Sequence, residues 1–203
     1  MVKASNNTTE RLCRIYGVLE ISQKNGVEFV SSKELAEAVG TTDHSVRKDI
    51  SFLNITSFGR KGYEVRSLKE QLAKKLNLGK TIKACIVGLG KLGTALLDYE
   101  TFNDDGFDIV AGFDSSINKL ERIHTSTDVF PVNRLEEIVK YREIELGIVT
   151  VPQSSAQDIA NKLIKGGVKG ILNFSQVKIN VPETVVLHNM DFTTAMRFVA
   201  ARF

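Results

Sequence analysis

The sequence predicts two domains in series: an α+β winged-helix domain, then an α/β Rossmann domain with a mainly parallel sheet. Three observations carry this. Residues 83–114 run strand, glycine turn, helix, strand, acid. Residues 33–53 hold two short helical segments separated by a glycine. Beyond residue 129, short apolar runs alternate with helical stretches, the pattern of βαβ units that share one parallel sheet.

The glycine turn organises the rest. An apolar run over 84–87 is followed by Gly88-Leu89-Gly90-Lys91-Leu92-Gly93, and a helical stretch continues to about residue 99. A second apolar run over 109–113 ends in Asp114, 21 residues after Gly93. An acid about 20 residues beyond such a turn is the spacing of a dinucleotide site. Gly88 permits the tight turn, Gly90 lets a pyrophosphate approach backbone, and Gly93 lets helix pack on strand. The helix N-terminus then offers free N–H groups and partial positive charge to phosphates. Asp114 would accept hydrogen bonds from a ribose and repel a 2′-phosphate, which favours NAD over NADP. Alternatives are a glycine-rich turn that takes coenzyme A, or one that binds nothing.

The totals narrow the class. At 203 residues there is room for one large or two small domains, and 42% hydrophobic residues suffice for a core. No apolar run approaches the ~18 residues of a membrane span, and the N-terminus lacks a secretory h-region. Cys13 and Cys85 are too few for a disulfide framework and stand in no metal-ligand spacing. The chain reads as cytoplasmic. Its net charge of +3 is uneven. Residues 1–80 hold 14 Lys and Arg against 9 Asp and Glu, whereas residues 81–203 hold 13 against 15. A basic first part on a mildly acidic second part suggests that nucleic acid meets the first.

In that first part, residues 1–8 are polar and expected to lack order. A helical pattern with Leu12, Ile15, Tyr16 and Leu19 follows, closed by Asn25-Gly26. Residues 27–30 form a brief extended piece. Ser31 and Ser32 stand ready to cap a short helix over 33–39, which Gly40 ends. Thr41 or Thr42 caps the next helix, to about residue 53. Two short helices about a glycine turn read as helix-turn-helix, the second entering the major groove. Its polar face offers Thr42, His44, Ser45, Arg47 and Lys48, with Val46, Ile50 and Leu53 inward. Arg47 and Lys48 are the expected DNA contacts, able to reach phosphates and guanine edges. His44 has no ligand partner at i+3 or i+4. Gly59-Arg60-Lys61-Gly62 suits a wing whose Arg60 and Lys61 reach the minor groove. Ordinary surface charge is the alternative for both features. Residues 67–79 form an amphipathic helix that Gly79 closes, so the domain boundary falls near residue 80.

In the second part, residues 115–128 give no clear pattern. An extended piece covers 129–132 and a helix 134–142. The apolar run 146–151 reads as a buried parallel strand. Thr150-Val151-Pro152 lies at its C-terminal end, where ligands sit in open α/β sheets. Ser154 or Ser155 caps a helix to about residue 165, and strands follow at 170–174 and 184–187. The tail after Asp191 puts Phe192, Met196, Val199 and Phe203 on one helical face. Such a face packs either on its own sheet or on a second subunit.

These residues together resemble the Rex family of redox-sensing transcriptional repressors. The resemblance rests on Ser31-Ser32-Lys33-Glu34-Leu35-Ala36 with Val46-Arg47-Lys48-Asp49-Ile50-Ser51, and on the glycine turn with Phe113-Asp114. Thr150-Val151-Pro152, Gly170-Ile171-Leu172-Asn173-Phe174, Val181-Pro182 and Asp191-Phe192 extend it over nearly the whole chain. It implies a homodimer in which residues 191–203 form a C-terminal helix swapped between the partner's domains, after a Rossmann domain over 81–190. It implies a repressor of palindromic operators, released by NADH, with NAD+ permitting DNA binding. It also places Tyr99 near the nicotinamide, with Asp191 and Phe192 reaching that region and Asn173-Phe174 among the landmarks of the cofactor side. Read from the residues alone, Tyr99 is equally a helix-end aromatic in the core.

The sequence departs from that family pattern in places. Where a Y-x-R pattern is usual on the first helix, this chain has Ile15-Tyr16-Gly17, and Gly17 cannot form an ion pair. Asn54-Ile55-Thr56-Ser57 replaces a glycine–aromatic–glycine stretch, and Ser175-Gln176 stands where Ala-Pro is common. Two rival readings are a small NAD-dependent oxidoreductase and a coenzyme A-binding module. The first lacks a separate substrate domain, and His44, His124 and His188 include no evident catalytic base. The second leaves Asp114 and the winged helix unexplained.

Overall fold

A computed structural model of the chain describes residues 5–55, 61–99 and 101–203. The chain divides into two compact units, Met1–Lys80 and Thr81–Phe203.

In the first unit, α1 (Asn6–Lys24) begins inside the stretch expected to lack order. Ser5 accounts for this: its side chain accepts the Thr8 N–H and so satisfies a donor that the first turn leaves free. After β1 (Phe29–Val30), α2 (Ser32–Val39) starts from a reciprocal cap in which Ser31 accepts the Glu34 N–H and Glu34 accepts the Ser31 N–H. Gly40 ends α2 in the left-handed region. Thr42 caps α3 (Asp43–Phe52) by accepting the Ser45 N–H. β2 (Tyr63–Glu64) pairs antiparallel with β1. Of the expected wing tip Gly59-Arg60-Lys61-Gly62, Gly59 and Arg60 lie outside the described residues.

The last helix of this unit, α4 (Val65–Leu76), begins two residues earlier than expected and ends at Asn77, which takes the left-handed cap position assigned above to Gly79. Leu12, Ile15 and Leu19 of α1 meet Leu35, Val46, Ile50, Leu68 and Leu72 in one core. Arg11 and Asp49 join α1 to α3 through a contact of 2.5 Å, and Asp49 is buried.

The second unit is built on six parallel strands: β3 (Ile82–Val87), β4 (Phe107–Asp114), β5 (Val129–Pro131), β6 (Leu146–Val149), β7 (Gly170–Asn173) and β8 (Val186–Asn189). Their order is β5-β4-β3-β6-β7-β8. The chain therefore winds outward from β3 to one edge, returns to β3's other side and winds to the opposite edge. That reversal leaves a crevice beyond the ends of β3 and β6, the place where open α/β sheets hold ligands. The connections are α5 (Lys91–Leu97), α6 (Thr101–Asp104), α7 (Ile117–Leu120), α8 (Leu135–Tyr141) and α9 (Gln153–Gly166). A single 3-10 turn precedes α8. α7 lies in the stretch that gave no pattern. α9 starts directly after Pro152 with no side-chain cap, rather than from Ser154 or Ser155. Proline's fixed φ there already suits a helix entry.

Cys85, Val87, Phe113, Val139, Ile159 and Leu163 pack within the core on one face of the sheet, and Ile86, Leu89, Leu97 and Ile148 within that on the other. The chain closes with α10 (Phe192–Ala200), capped by Asp191. Phe192, Met196, Phe198 and Val199 are exposed in it, as is Phe203 beyond its end. Among the described residues, no helix is long and apolar enough to cross a membrane, and no cluster of His, Cys, Asp or Glu is placed to hold a metal ion.

Candidate functional site

Beyond β3 and β6 lies a cavity of about 590 Å³, lined by Gly88, Gly90, Asp114, Thr150, Val151 and Pro152 among others. These come from three strand ends that the parallel sheet delivers to one edge. The glycines there differ in what surrounds them. At Gly88, φ is +101°, and a Cβ would lie 2.7 Å from Val151 Cγ1. At Gly93, a Cβ would lie 2.1 Å from the Gly88 carbonyl oxygen and 2.8 Å from Thr150 Oγ1. Neither position admits a side chain. At Gly90 a Cβ would meet nothing within 4 Å. The backbone there is bare toward open space, as a group approaching closely requires. Thr150 secures the turn by donating its hydroxyl to the Gly88 carbonyl at 2.7 Å and to that of Val87 at 3.1 Å.

Asp114 is 5% exposed and fully anchored. Its Oδ2 accepts the Leu89 N–H at 2.9 Å and Lys119 Nζ at 2.9 Å, and its Oδ1 accepts the Ser116 N–H at 2.8 Å. Burial by itself would raise this carboxyl. The Lys119 ammonium and the Ser116 and Leu89 N–H groups outweigh burial and hold it below the usual carboxylate range. The group is thus an anion at neutral pH, with lone-pair capacity left chiefly on Oδ1. Bare backbone at Gly90, an anion at Asp114 and a cavity between β3 and β6 suit a dinucleotide's pyrophosphate and ribose.

The remaining expected cofactor residues are spread more widely. Leu89 is buried, while Lys91 and Leu92 are exposed at the start of α5. Tyr99 is half exposed, stands edge-on to Phe102, and lines a different cavity of about 180 Å³. Asn173 is buried, donating to the Val177 carbonyl and Asn189 Oδ1 while accepting from Ser175. With Asp191 it lines a third cavity of about 240 Å³. Phe174 and Phe192 face each other with ring centroids 5.8 Å apart. Asp191 accepts the Thr193 and Thr194 N–H groups and the Thr194 hydroxyl, so its carboxylate already holds the start of α10. Sequence reasoning missed Lys119, Ser155, Asp158 and Lys162, which also line the large cavity. Only the Asp158–Lys162 spacing of four residues on one helix gave a signal for them.

On the first unit, α3 leaves Thr42, His44, Arg47 and Lys48 exposed, and Val46 and Ile50 buried. Ser45 Oγ lies 2.9 Å from Thr42 Oγ1. Arg47 is held by Asp43 and Ser32. Lys61 Nζ sits 5.3 Å from the centre of the Phe29 ring, a cation–π distance.

Comparison with known proteins bears on both units. A family model described as "CoA binding domain" matches residues 79–177, and one described as "Putative DNA-binding protein N-terminus" matches residues 3–51. The redox-sensing transcriptional repressor Rex of Carboxydothermus hydrogenoformans is 39% identical over 94% of this chain and 92% of its own length. The chain belongs to the Rex family. Rex of Desulfitobacterium hafniense is 41% identical over 83% of this chain and 80% of its own length. The fold agrees with that of RSP, a Rex-family repressor. In complex with β-NAD+ and operator DNA, RSP matches with a TM-score of 0.88 at 32% identity, covering 100% of this chain and 93% of RSP. In complex with β-NADH it matches at 0.86 and 32%, covering 100% and 95%. These Rex relatives are repressors rather than enzymes, and their similarity runs through both units. The coenzyme A model reaches only the sheet domain.

Proposed function

We propose that this chain is a redox-sensing transcriptional repressor. As a homodimer it binds palindromic double-stranded operator DNA, and NADH binding releases it while NAD+ permits binding. The carrying observation is the anchored Asp114 carboxylate beside bare backbone at Gly90, in the crevice between β3 and β6. Exposed Arg47 and Lys48 on α3 of the other unit, and the likeness to RSP in complex with β-NAD+ and operator DNA, support the DNA half of this reading. The site prefers NAD(H) to NADP(H) because a 2′-phosphate would meet the anion. It acts in the cytoplasm, where its DNA is.

The chain's own residues supply binding and a switch, with no chemistry on the cofactor. Gly88 and Gly93 close the turn, Gly90 admits the pyrophosphate, and Asp114 takes the ribose. Thr150, Val151 and Pro152 form the far wall, with Tyr99, Asn173, Phe174, Asp191 and Phe192 serving the nicotinamide side of the dimer. The exposed apolar face of α10 packs on the second subunit. A ligand that binds one dimer state better shifts the population toward it. A 100-fold preference corresponds to about 2.7 kcal/mol of coupling. Recognition helices must stand about 34–36 Å apart, or a multiple, so a small rotation ends binding. Calorimetric titration with NADH and with NAD+ tests the cofactor half: NADH binds much more tightly, and equal or absent binding overturns the redox reading.

A further inference from the structure

Arg47 lies on the exposed side of α3, yet part of its guanidinium is already engaged. Nη2 stands 2.6 Å from Oδ2 of Asp43, one turn earlier on the same helix. Nε donates to Oδ1 of Asp43 at 3.1 Å and to Oγ of Ser32 at 3.0 Å. Ser32 is buried at the start of α2, so this second contact is fixed by the core.

A guanidinium has two edges that donate in parallel: a side edge of Nε and Nη2, and an end edge of Nη1 and Nη2. Asp43 occupies the side edge with both oxygens. Among the described residues, no acceptor stands against Nη1. Of the five N–H donors, those of the end edge remain available. Bidentate reading of guanine O6 and N7 uses one such edge.

The pair makes little sense as a stability device. Arg47 and Asp43 are 63% and 37% exposed at the side chain, and ion pairs so wetted contribute little. Asp43 also adds negative charge to a surface meant for phosphates, which weakens sequence-independent binding. Both features suit a specificity device. Holding a long side chain before the partner arrives lowers the ordering cost of contact, and a repulsive charge discriminates against wrong sites.

Resting on the DNA-binding reading above, we infer that Asp43 and Ser32 are positioning residues that hold Arg47 so its end edge reads one guanine per operator half-site. Asp43 acts through Arg47 and reads no base itself.

The test is selection of binding sites from random-sequence duplexes by the full-length protein. It uses the wild type, Arg47→Ala, Asp43→Asn, Ser32→Ala and the double variant Arg47→Ala/Asp43→Asn. Each enriched site and one scrambled duplex are then titrated. The wild type enriches a palindrome with one guanine per half that Arg47→Ala no longer selects. Asp43→Asn loses preference for that guanine by about ten-fold or more, while binding the scrambled duplex more tightly. Ser32→Ala loses part of the same preference, which separates positioning from any fault in the α3 cap. In the Arg47→Ala background, Asp43→Asn changes selectivity no further.

Unchanged preference in Asp43→Asn overturns the inference. So does a selectivity change that persists without Arg47, because Asp43 would then contact a base directly. Failure of the wild type to enrich any sequence overturns the DNA-binding reading itself, and is told apart by that.

Discussion

Lys119 places Nζ 2.9 Å from Oδ2 of Asp114, the same oxygen that accepts the Leu89 N–H. One carboxylate thereby ties the glycine turn to the end of β4 and to α7, and it is held in place before any ribose arrives. Replacing Asp114 with Ala removes ribose contacts to a charged acceptor, each worth about 1.5–3 kcal/mol. NADH affinity should fall by roughly 10–100-fold, measured by calorimetry. Unchanged affinity would show that the ribose does not meet Asp114.

The same contacts set a pH dependence. Asp114 is held below the ordinary carboxylate value of about 3.9. A carboxyl lowered in the folded state stabilises the fold above its unfolded value, and loses that contribution as pH falls through the folded one. Denaturant unfolding of wild type and Asp114→Asn should differ by a constant amount from pH 5 to 8. The difference should shrink only below about pH 4. A difference that changes between pH 6 and 8 would mean that the group is not held as an anion.

Gly90 and Gly93 separate binding from folding. A methyl at Gly93 collides with the Gly88 carbonyl, whereas one at Gly90 meets nothing. Gly93→Ala should therefore destabilise the second unit in thermal unfolding. Gly90→Ala should leave the midpoint within a degree or two and still weaken NADH, because the methyl occupies the pyrophosphate's approach. Full NADH affinity in Gly90→Ala would place the phosphates elsewhere.

Gly17 sits inside α1, and a Cβ there touches nothing within 4 Å. Alanine lowers the ordering cost of a helix interior by roughly 0.5–1 kcal/mol relative to glycine. Gly17→Ala should raise the unfolding midpoint of the first unit by that much stability. A fall in the midpoint would mean that bare backbone at this position is needed by something packed on it.

The two thiols should separate in reactivity. Cys85 is buried in β3, where burial pushes its thiol up to about 12. Cys13 is exposed on α1. A thiol reagent at pH 8 should modify one cysteine per native chain and two after denaturation. Rapid modification of Cys85 in the native protein would show that β3 opens readily.

Much of this was legible in sequence because periodicity and glycine placement are local signals. The three glycines, the 84–87 run and Asp114 locate β3, its turn and the end of β4 without tertiary knowledge. Gly88, Gly90, Asp114, Thr150, Val151 and Pro152 then converge because parallel strands end at one edge of the sheet. Other features leave no local trace. α7 is a single turn with no apolar repeat. Lys119 follows Asp114 by five residues, and only the fold of that turn brings them together. Asp49 is buried on α3 and meets Arg11 of α1, a pairing 38 residues apart that no local pattern marks. The start of α1 leaves no apolar repeat, because a single Ser5 side chain decides it. Tyr99 and Asp191 came from resemblance, and the chain alone keeps them outside the large cavity.

The most direct test of the account is fluorescence anisotropy of a labelled duplex, selected by the protein from a random pool, during titration with NADH and separately with NAD+. The account predicts that NADH drives the duplex off, while NAD+ at the same concentration leaves it bound. A duplex that stays bound while calorimetry shows NADH saturating the same sample would contradict it: the site would hold cofactor without governing DNA.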